Sequence, residues 1–414
     1  MDKKPEKLVP EVRFKGFTDD WEQRELGDIT NYIKGYAFKS ASYQAKGNVL
    51  LIRASDLSSG TLAFLPDKKY LPSQFLETFK RYKLNQGDIV ITTVGSKSTM
   101  KSSAVGRPIY INSNKPYLLN QNLVKITVND SINSFYLYNQ LLKSKYKYFV
   151  STIERGNANQ ANITIHDLWK YKAFLTSELE EKQIGHLLLK LNQLFYLQQR
   201  KLEQLNLLQK YVKEKTLPSQ KKLPKLRFLN TPYNTYKFSE LFKKSTKKND
   251  GQILQNHVIS VASMRWGKLP KSSSEAYMKT YFIFNKGDIA YEGNRSKRYS
   301  FGRFVANDLG NGIVSHVFSV FNSKINFNLE FLKNYINSEQ VMRDPLRMST
   351  SRTTMMTNLV LKDIAKQTLM IPSKNEQDLL GSLYKITQSM IELNEKQQQE
   401  LIYLKKYLLQ KLFI

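Results

Sequence analysis

The chain has no cysteine and only four histidines in 414 residues. Without cysteine there are no disulfides and no thiolate-held zinc or iron–sulfur centre. The histidines are His166, His186, His257 and His316, and none sits in a His-Glu-x-x-His pair, so the usual zinc-hydrolase signature is missing. A phosphate-cradling Gly-x-x-x-x-Gly-Lys-Ser/Thr loop is also absent: Gly267-Lys268 is followed by Leu269 and has no glycine at the required distance upstream. No stretch approaches the roughly 18 apolar residues of a membrane span. The opening Met1–Lys7 has no apolar core of a signal peptide. The expectation is a soluble, cytoplasmic protein with no membrane partner and no metal site. Acid is scarce too, with 35 Asp and Glu against 64 Lys and Arg.

What remains is strongly basic. The formal net charge is +29, and a hydrophobic fraction of 41% with 22 Phe and 24 Tyr argues against disorder. Such an excess concentrates polyanions, of which nucleic acid is the commonest. The cations are spread along the chain among aromatic residues, rather than gathered in a tail or one amphipathic helix as in membrane-surface proteins.

The chain also repeats itself. Residues 162–217 align without a gap on 358–413 at an offset of 196, placing Asn162 on Asn358, Asp167 on Asp363, Gly185 on Gly381, Leu197 on Leu393 and Tyr211 on Tyr407. Upstream, Leu84–Ile89 matches Phe284–Ile289 at an offset of 200, and Pro10–Phe14 matches Pro224–Phe228 at 214. Changing offsets mean two similar units whose intervening segments differ in length.

Within each unit two textures alternate. Glu/Gln/Lys/Leu-rich stretches at 176–217 and 373–414 read as long amphipathic helices, with apolar residues at spacings of three and four. The first places Leu191, Phe195, Leu202, Leu205 and Val212 on a seam shared with Gln198 and Gln209. On the second the apolar residues are Leu383, Ile386, Met390, Leu393, Leu401, Leu404 and Leu408. So much apolar surface calls for a partner, and the simplest is the other helix in a coiled coil, antiparallel if the units are related by a pseudo-twofold axis. The rest reads as short strands, including Val49–Arg53, Asp88–Val94, Leu123–Val128, His257–Val261, Asp288–Tyr291 and Ile313–Val320, with short helices at 133–149 and 328–339. The fold class is therefore α+β, with globular domains at 1–175 and 224–372, long helices at 176–217 and 373–414, and a linker at 218–223.

No catalytic constellation emerges. Asp308-Leu309-Gly310-Asn311-Gly312 is a Gly-rich turn best read as a hairpin loop. Asn230-Thr231-Pro232-Tyr233 lacks the tandem prolines of an adenine-methyltransferase loop, and Pro66-Asp67-Lys68-Lys69 lacks the separated carboxylates of a nuclease. The chain reads as a binder.

Two dissimilar α+β domains, each followed by a similar long helix, resemble the specificity subunit of Type I restriction-modification systems. The resemblance covers the whole chain. It rests on Pro10–Phe17 with Trp21-Glu22, on Gly87-Asp88-Ile89 and Gly287-Asp288-Ile289, and on Asn162-Ile163 and Asn358-Leu359. Glu180–Ile184 and Glu376–Leu380, at the starts of the helices, complete it. It implies that each domain reads one half of a split, asymmetric site on double-stranded DNA, with the gap set by the helices. It also implies that two methyltransferase subunits and the restriction-translocase subunits assemble on this chain. S-adenosylmethionine, ATP and Mg²⁺ would then belong to those partners, with no cofactor on this chain.

Candidate DNA contacts follow from residue chemistry, since phosphates favour Lys and Arg while base edges favour Arg, Asn, Gln, Ser and Thr. One pair of equivalent basic loops contains Lys97, Ser98, Thr99 and Lys101 in the first unit and Arg295, Lys297 and Arg298 in the second. A second pair contains Arg155, Asn157, Asn159 and Gln160, and Arg352, Thr353 and Thr354. Arg265 beside Trp266 is a further candidate, with a core tryptophan as the simpler reading. The competing functions are an enzyme with an unrecognised active site and a basic coiled-coil protein that binds nucleic acid without sequence preference.

Overall fold

The computed structural model describes residues 8–58, 61–62, 67–98, 104–156, 160–219, 222–267, 275–352 and 356–414. It contains two compact units, Met1–Leu197 with Gln398–Ile414, and Gln198–Gln397. Each combines a globular α+β part with a stretch of both long helices, Glu178–Thr216 and Lys374–Lys411.

The two globular parts share one sheet order. In the first unit Thr30–Lys34, Leu123–Val128, Ile89–Thr92 and Pro108–Tyr110 lie side by side, all antiparallel. In the second the order is Phe242–Lys244, Ser319–Ser323, Ile289–Glu292 and Arg303–Ala306. The single strand that composition predicts across Ile313–Val320 is instead broken into Gly312–Val314 and Ser319–Ser323, in different sheets. The first unit adds a second four-stranded sheet, in which Tyr117–Leu119 runs parallel to Val49–Ile52. In each unit the chain entering the domain pairs with the strand leading to its long helix: Glu22–Glu25 with Lys172–Leu175, and Asn234–Lys237 with Thr368–Ile371.

The long helices pack through a regular seam. On the first it runs Ile184, Leu188, Leu191, Phe195, Gln198, Leu202, Leu205, Gln209, Val212 and Thr216, in steps of four and three, and every one of these residues is buried or half-buried. On the second it runs Leu380, Tyr384, Thr387, Ile391, Asn394, Gln398, Leu401, Lys405 and Leu408, continuing to Leu412 beyond the helix end. The steps are those of a heptad coiled coil. In the second unit the partners descend as the first helix ascends: Gln198 Nε2 donates to Gln397 Oε1 at 2.8 Å, Gln209 Nε2 to Gln388 Oε1 at 2.9 Å, and the Thr216 and Tyr384 hydroxyls meet at 2.7 Å. The pairing is antiparallel. In the first unit Lys405 Nζ donates to Asn192 Oδ1 at 2.6 Å.

Leu191, Phe195, Leu202, Leu205 and Leu401 lie on this seam. Met390, Leu393 and Leu404 do not, and remain exposed, Leu393 at 59%. They form a second apolar column one position out of phase with the seam, where four of the ten positions are Thr387, Asn394, Gln398 and Lys405.

The aligned glycines mark the docking of each helix on its own domain. A Cβ at Gly185 would lie 2.5 Å from Asn133 Oδ1, and one at Gly381 would lie 2.2 Å from Asn328 Oδ1. Each asparagine caps a short helix, accepting the Tyr136 or Phe331 backbone N–H at 2.9 and 3.0 Å, so no side chain fits between cap and long helix.

One aligned pair differs in charge. Glu181 is 1% exposed and accepts the Asn133 and Thr176 N–H groups, while its counterpart Gln377 accepts from Asn328 and donates to the Pro372 carbonyl at 3.1 Å. Proline has no N–H to offer, so an amide replaces the carboxylate. No cation contacts Glu181 among the described residues, and burial pushes its carboxyl up to about 7, with Glu178 and Glu180 adding repulsion. A raised carboxyl pKa stabilises the fold below about pH 4.5, where both states are protonated, and that contribution is lost as pH rises through 7. The expected loss is about 3 kcal/mol at most, from 1.36 kcal/mol per pH unit. Urea melts of the first unit's transition should weaken from pH 5 to 8, and Glu181→Gln should flatten that slope. An undiminished slope in the variant would assign it to another group.

Candidate nucleic-acid interface

The turn entering each central strand closes on itself. Asp88 Oδ2 accepts the Asn85 N–H at 2.7 Å, and Asp288 Oδ2 accepts the Asn285 N–H at 2.8 Å. Burial raises both carboxyl pKa values, partly offset by these bonds. The Gly-Asp-Ile pairs are therefore structural, fixing where each central strand begins and where its far end delivers the next loop.

Those loops do not stand alone. In the first unit Val94–Gly95, just beyond the central strand, pairs with Ala161–Asn162. Arg155 and Asn162 exchange backbone hydrogen bonds at 2.9 and 2.8 Å, and the Ser98 N–H donates to Glu154 Oε2 at 2.8 Å. The segment carrying Lys97 and Ser98 thus lies against the segment carrying Arg155 and leading to exposed Gln160. The Arg155 guanidinium is held by Asp167 at 2.7 Å. The Thr164 hydroxyl first, then Arg155 and Lys170, keep the Asp167 carboxyl below the usual carboxylate range.

The second unit repeats the arrangement. Thr357 donates its N–H to the Gly293 carbonyl at 2.9 Å and its hydroxyl to the same oxygen at 3.0 Å. Asn294 bridges to Met356, and Thr350–Arg352 pairs with Thr357–Leu359. Two loop sets read separately from the sequence therefore converge in each unit, and Arg295, Lys297 and Arg298, which follow the Asn294 bridge to Met356, are exposed. Thr99, Lys101, Asn157, Asn159, Thr353 and Thr354 lie outside the described residues; Arg352 is described only as the last residue of its strand.

Arg265 and Trp266 form one arm of a two-strand ribbon with Ile259–Ser260. Trp266 is not a core residue: it is 45% exposed, edge-on to the His257 ring with centroids 5.4 Å apart. Among the described residues the two-residue strands of the ribbon leave nearly half of the residue uncovered. Missed entirely was Glu154, whose carboxylate orders the Lys97–Ser98 segment; one acidic residue before an Arg-Gly turn carried no distinguishing pattern.

Residues 18–207 match the family described as Type I restriction modification DNA specificity domain. That stretch, a little under half of the chain, resembles the specificity domain of this family. The Type I restriction enzyme EcoAI specificity subunit of Escherichia coli is 27% identical over 146 residues, which is 34% of this chain and 23% of that protein. The chain thus matches about a quarter of that curated relative's length. Among solved structures, the S subunit of a Type I system from M. genitalium superposes with a TM-score of 0.61 at 14% identity, over 98% of this chain and 99% of that one. A chain from a structure concerning assembly and conformational transition of the type I R-M system gives 0.52 at 13% identity, over 99% of both. The chain shares the fold of these structures along nearly its full length. Among the described residues no helix is long and apolar enough to cross a membrane, and no group of three or more acidic or histidine side chains is placed to hold a metal.

The convergence of the second unit's loops hangs on Gly293, where an added Cβ would lie 2.2 Å from the Thr357 carbonyl oxygen. Backbone cannot give way as a side-chain tip can. Gly293→Ala should therefore cost about 2 kcal/mol or more in urea unfolding of the second unit. A cost below about 0.5 kcal/mol, the range of ordinary surface changes, would show that the two loops are not locked together.

Proposed function

We propose that this chain is a non-catalytic DNA-specificity subunit that recognises a bipartite, asymmetric site, one half per unit, and directs methyltransferase and restriction subunits to it. The observation that carries this reading is the pairing, in both units, of a basic loop with a polar loop on the same scaffold. The scaffold repeats while the loop chemistry differs: Lys97-Ser98 with Arg155 and Gln160 in one unit, and Arg295, Lys297 and Arg298 in the other. Equivalent frames with different reading groups suit two different half-sites.

The paired helices would fix the gap between the half-sites. Their outward faces carry exposed apolar residues, including Leu194, Tyr196 and Leu197 on the first helix and Ile402, Tyr403 and Tyr407 on the second. Patches of this kind support docking of protein partners, here two methyltransferase subunits, with restriction-translocase subunits joining the assembly. S-adenosylmethionine, ATP and Mg²⁺ would be bound by those subunits. Trp266 and Arg265 would add stacking and phosphate contact at the second half-site.

Co-expression with the cognate methyltransferase subunit, followed by genome-wide mapping of methylated adenines, tests the reading. The expected result is one split motif with a fixed gap, lost when this chain is deleted; methylation that persists without the chain would refute it. At the residue level, Lys297→Ala should weaken duplex binding about equally for cognate and unrelated sequences and reduce the slope of log K against log salt by about 0.9. Selective loss on cognate DNA would instead make Lys297 a base reader.

A further inference from the structure

A cavity of about 800 Å³ opens in the second unit between the last turns of the first long helix and the globular part. Five cations line it, Lys210, Lys213, Arg298, Arg303 and Lys333, against two carboxylates, Glu214 and Glu339. Its walls are braced. Arg303 bonds to Glu292 at 2.6 Å and to the Ala262 carbonyl at 2.8 Å, pinning the turn that forms one side. Gln340 Nε2 donates to the Leu217 carbonyl at 2.7 Å, tying the helix end to the opposite wall. The Tyr299 hydroxyl donates to Asn337 Oδ1 at 2.7 Å, anchoring the loop that presents Arg298. Lys333 pairs with Asp308 and Lys210 with Glu214.

Lys213 and Arg298, by contrast, have no ion pair among the described residues. Burial, then the charges of Arg298 and Lys333, depress the Lys213 pKa, with Glu330 opposing weakly. Half-burying an ammonium beside two other cations is unfavourable unless something anionic comes to it. The first unit shows what a purely structural solution looks like. At the aligned offset of 196 Lys213 becomes Leu409, packed on that unit's core. Counted from the capping asparagines Asn133 and Asn328, Lys333 becomes Tyr138, which is buried. Where one unit closes this place with apolar side chains, the other leaves it open and charged.

We propose that this cleft binds a phosphate group, held by Lys213 and Arg298. The phosphate could be that of a DNA backbone seated on the second unit or that of a free nucleotide; only the DNA source rests on the function proposed above. Full-length wild type, Lys213→Gln and Arg298→Gln would be titrated with inorganic pyrophosphate by calorimetry, and separately with duplex DNA across a salt series. A free-phosphate site predicts saturable pyrophosphate binding that each variant weakens about tenfold, the scale of one lost charge-assisted contact. A DNA-backbone site predicts no pyrophosphate binding, but a salt slope for duplex binding about 0.9 shallower in each variant. Without any anion, Lys213→Gln should melt no lower than wild type, since it relieves repulsion; a purely structural lysine would lower the melt. Arg298 is exposed, so its variant keeps the test open if Lys213→Gln misfolds. Pyrophosphate binding without any duplex binding would sink the DNA-reading function and leave this site standing. Unchanged pyrophosphate affinity together with an unchanged salt slope in both variants overturns the proposal.

Discussion

Everything in this fold is hung on a helix seam that neither helix can satisfy alone. Ten positions on each helix line, in steps of four and three, recur at the single offset of 196, from Ile184 on Leu380 to Thr216 on Leu412. Burial of Leu191, Phe195, Leu202, Leu205, Ile391 and Leu401 supplies the attraction. The polar members supply discrimination. An all-leucine seam could slip by one heptad at little cost, but slipping here would part Gln198 from Gln397 and Gln209 from Gln388. Asn394, 2% exposed in the middle of that column, has no hydrogen-bond partner for its amide among the described residues and is a cost to the seam.

On that frame the two globular parts hold in common what positions a loop and differ in what the loop presents. The four-strand order, the Asp88 and Asp288 turns and the contact of each helix glycine with a capping asparagine are common to both. The differences lie in the first unit's second four-stranded sheet, in the loops, and beside the helix ends, where Lys213 faces a cleft and Leu409 a core. A rigid frame with variable fittings is a common solution for recognition proteins, because loop chemistry can change without repricing the core.

Much of this was legible from residue order alone. The repeat, both long helices and the central strands follow from spacing and composition, since those elements have strong local periodicity. What escaped was tertiary. The second helix carries two apolar columns, and hydrophobicity alone favoured Met390, Leu393 and Leu404 over a column containing Thr387, Asn394, Gln398 and Lys405. The repeat held the answer: shifting Leu191, Phe195, Leu202 and Leu205 by 196 gives Thr387, Ile391, Gln398 and Leu401. Trp266 was expected in a core because tryptophan usually is, and the shortness of its ribbon could not be seen in the letters. The contact between the two loops of each unit joins residues more than fifty positions apart, beyond the reach of any local pattern.

The matched columns also restrict how such a chain can change its length. One residue inserted into either helix turns everything beyond it by about 100°, swinging leucines out to water and lysines in. An insertion in one helix alone leaves its partner's register unmatched. The tolerated changes are whole heptads added to both helices together, each lengthening the pair by about 10.5 Å at 1.5 Å per residue. Within each unit the seam therefore keeps its register only when both columns change together.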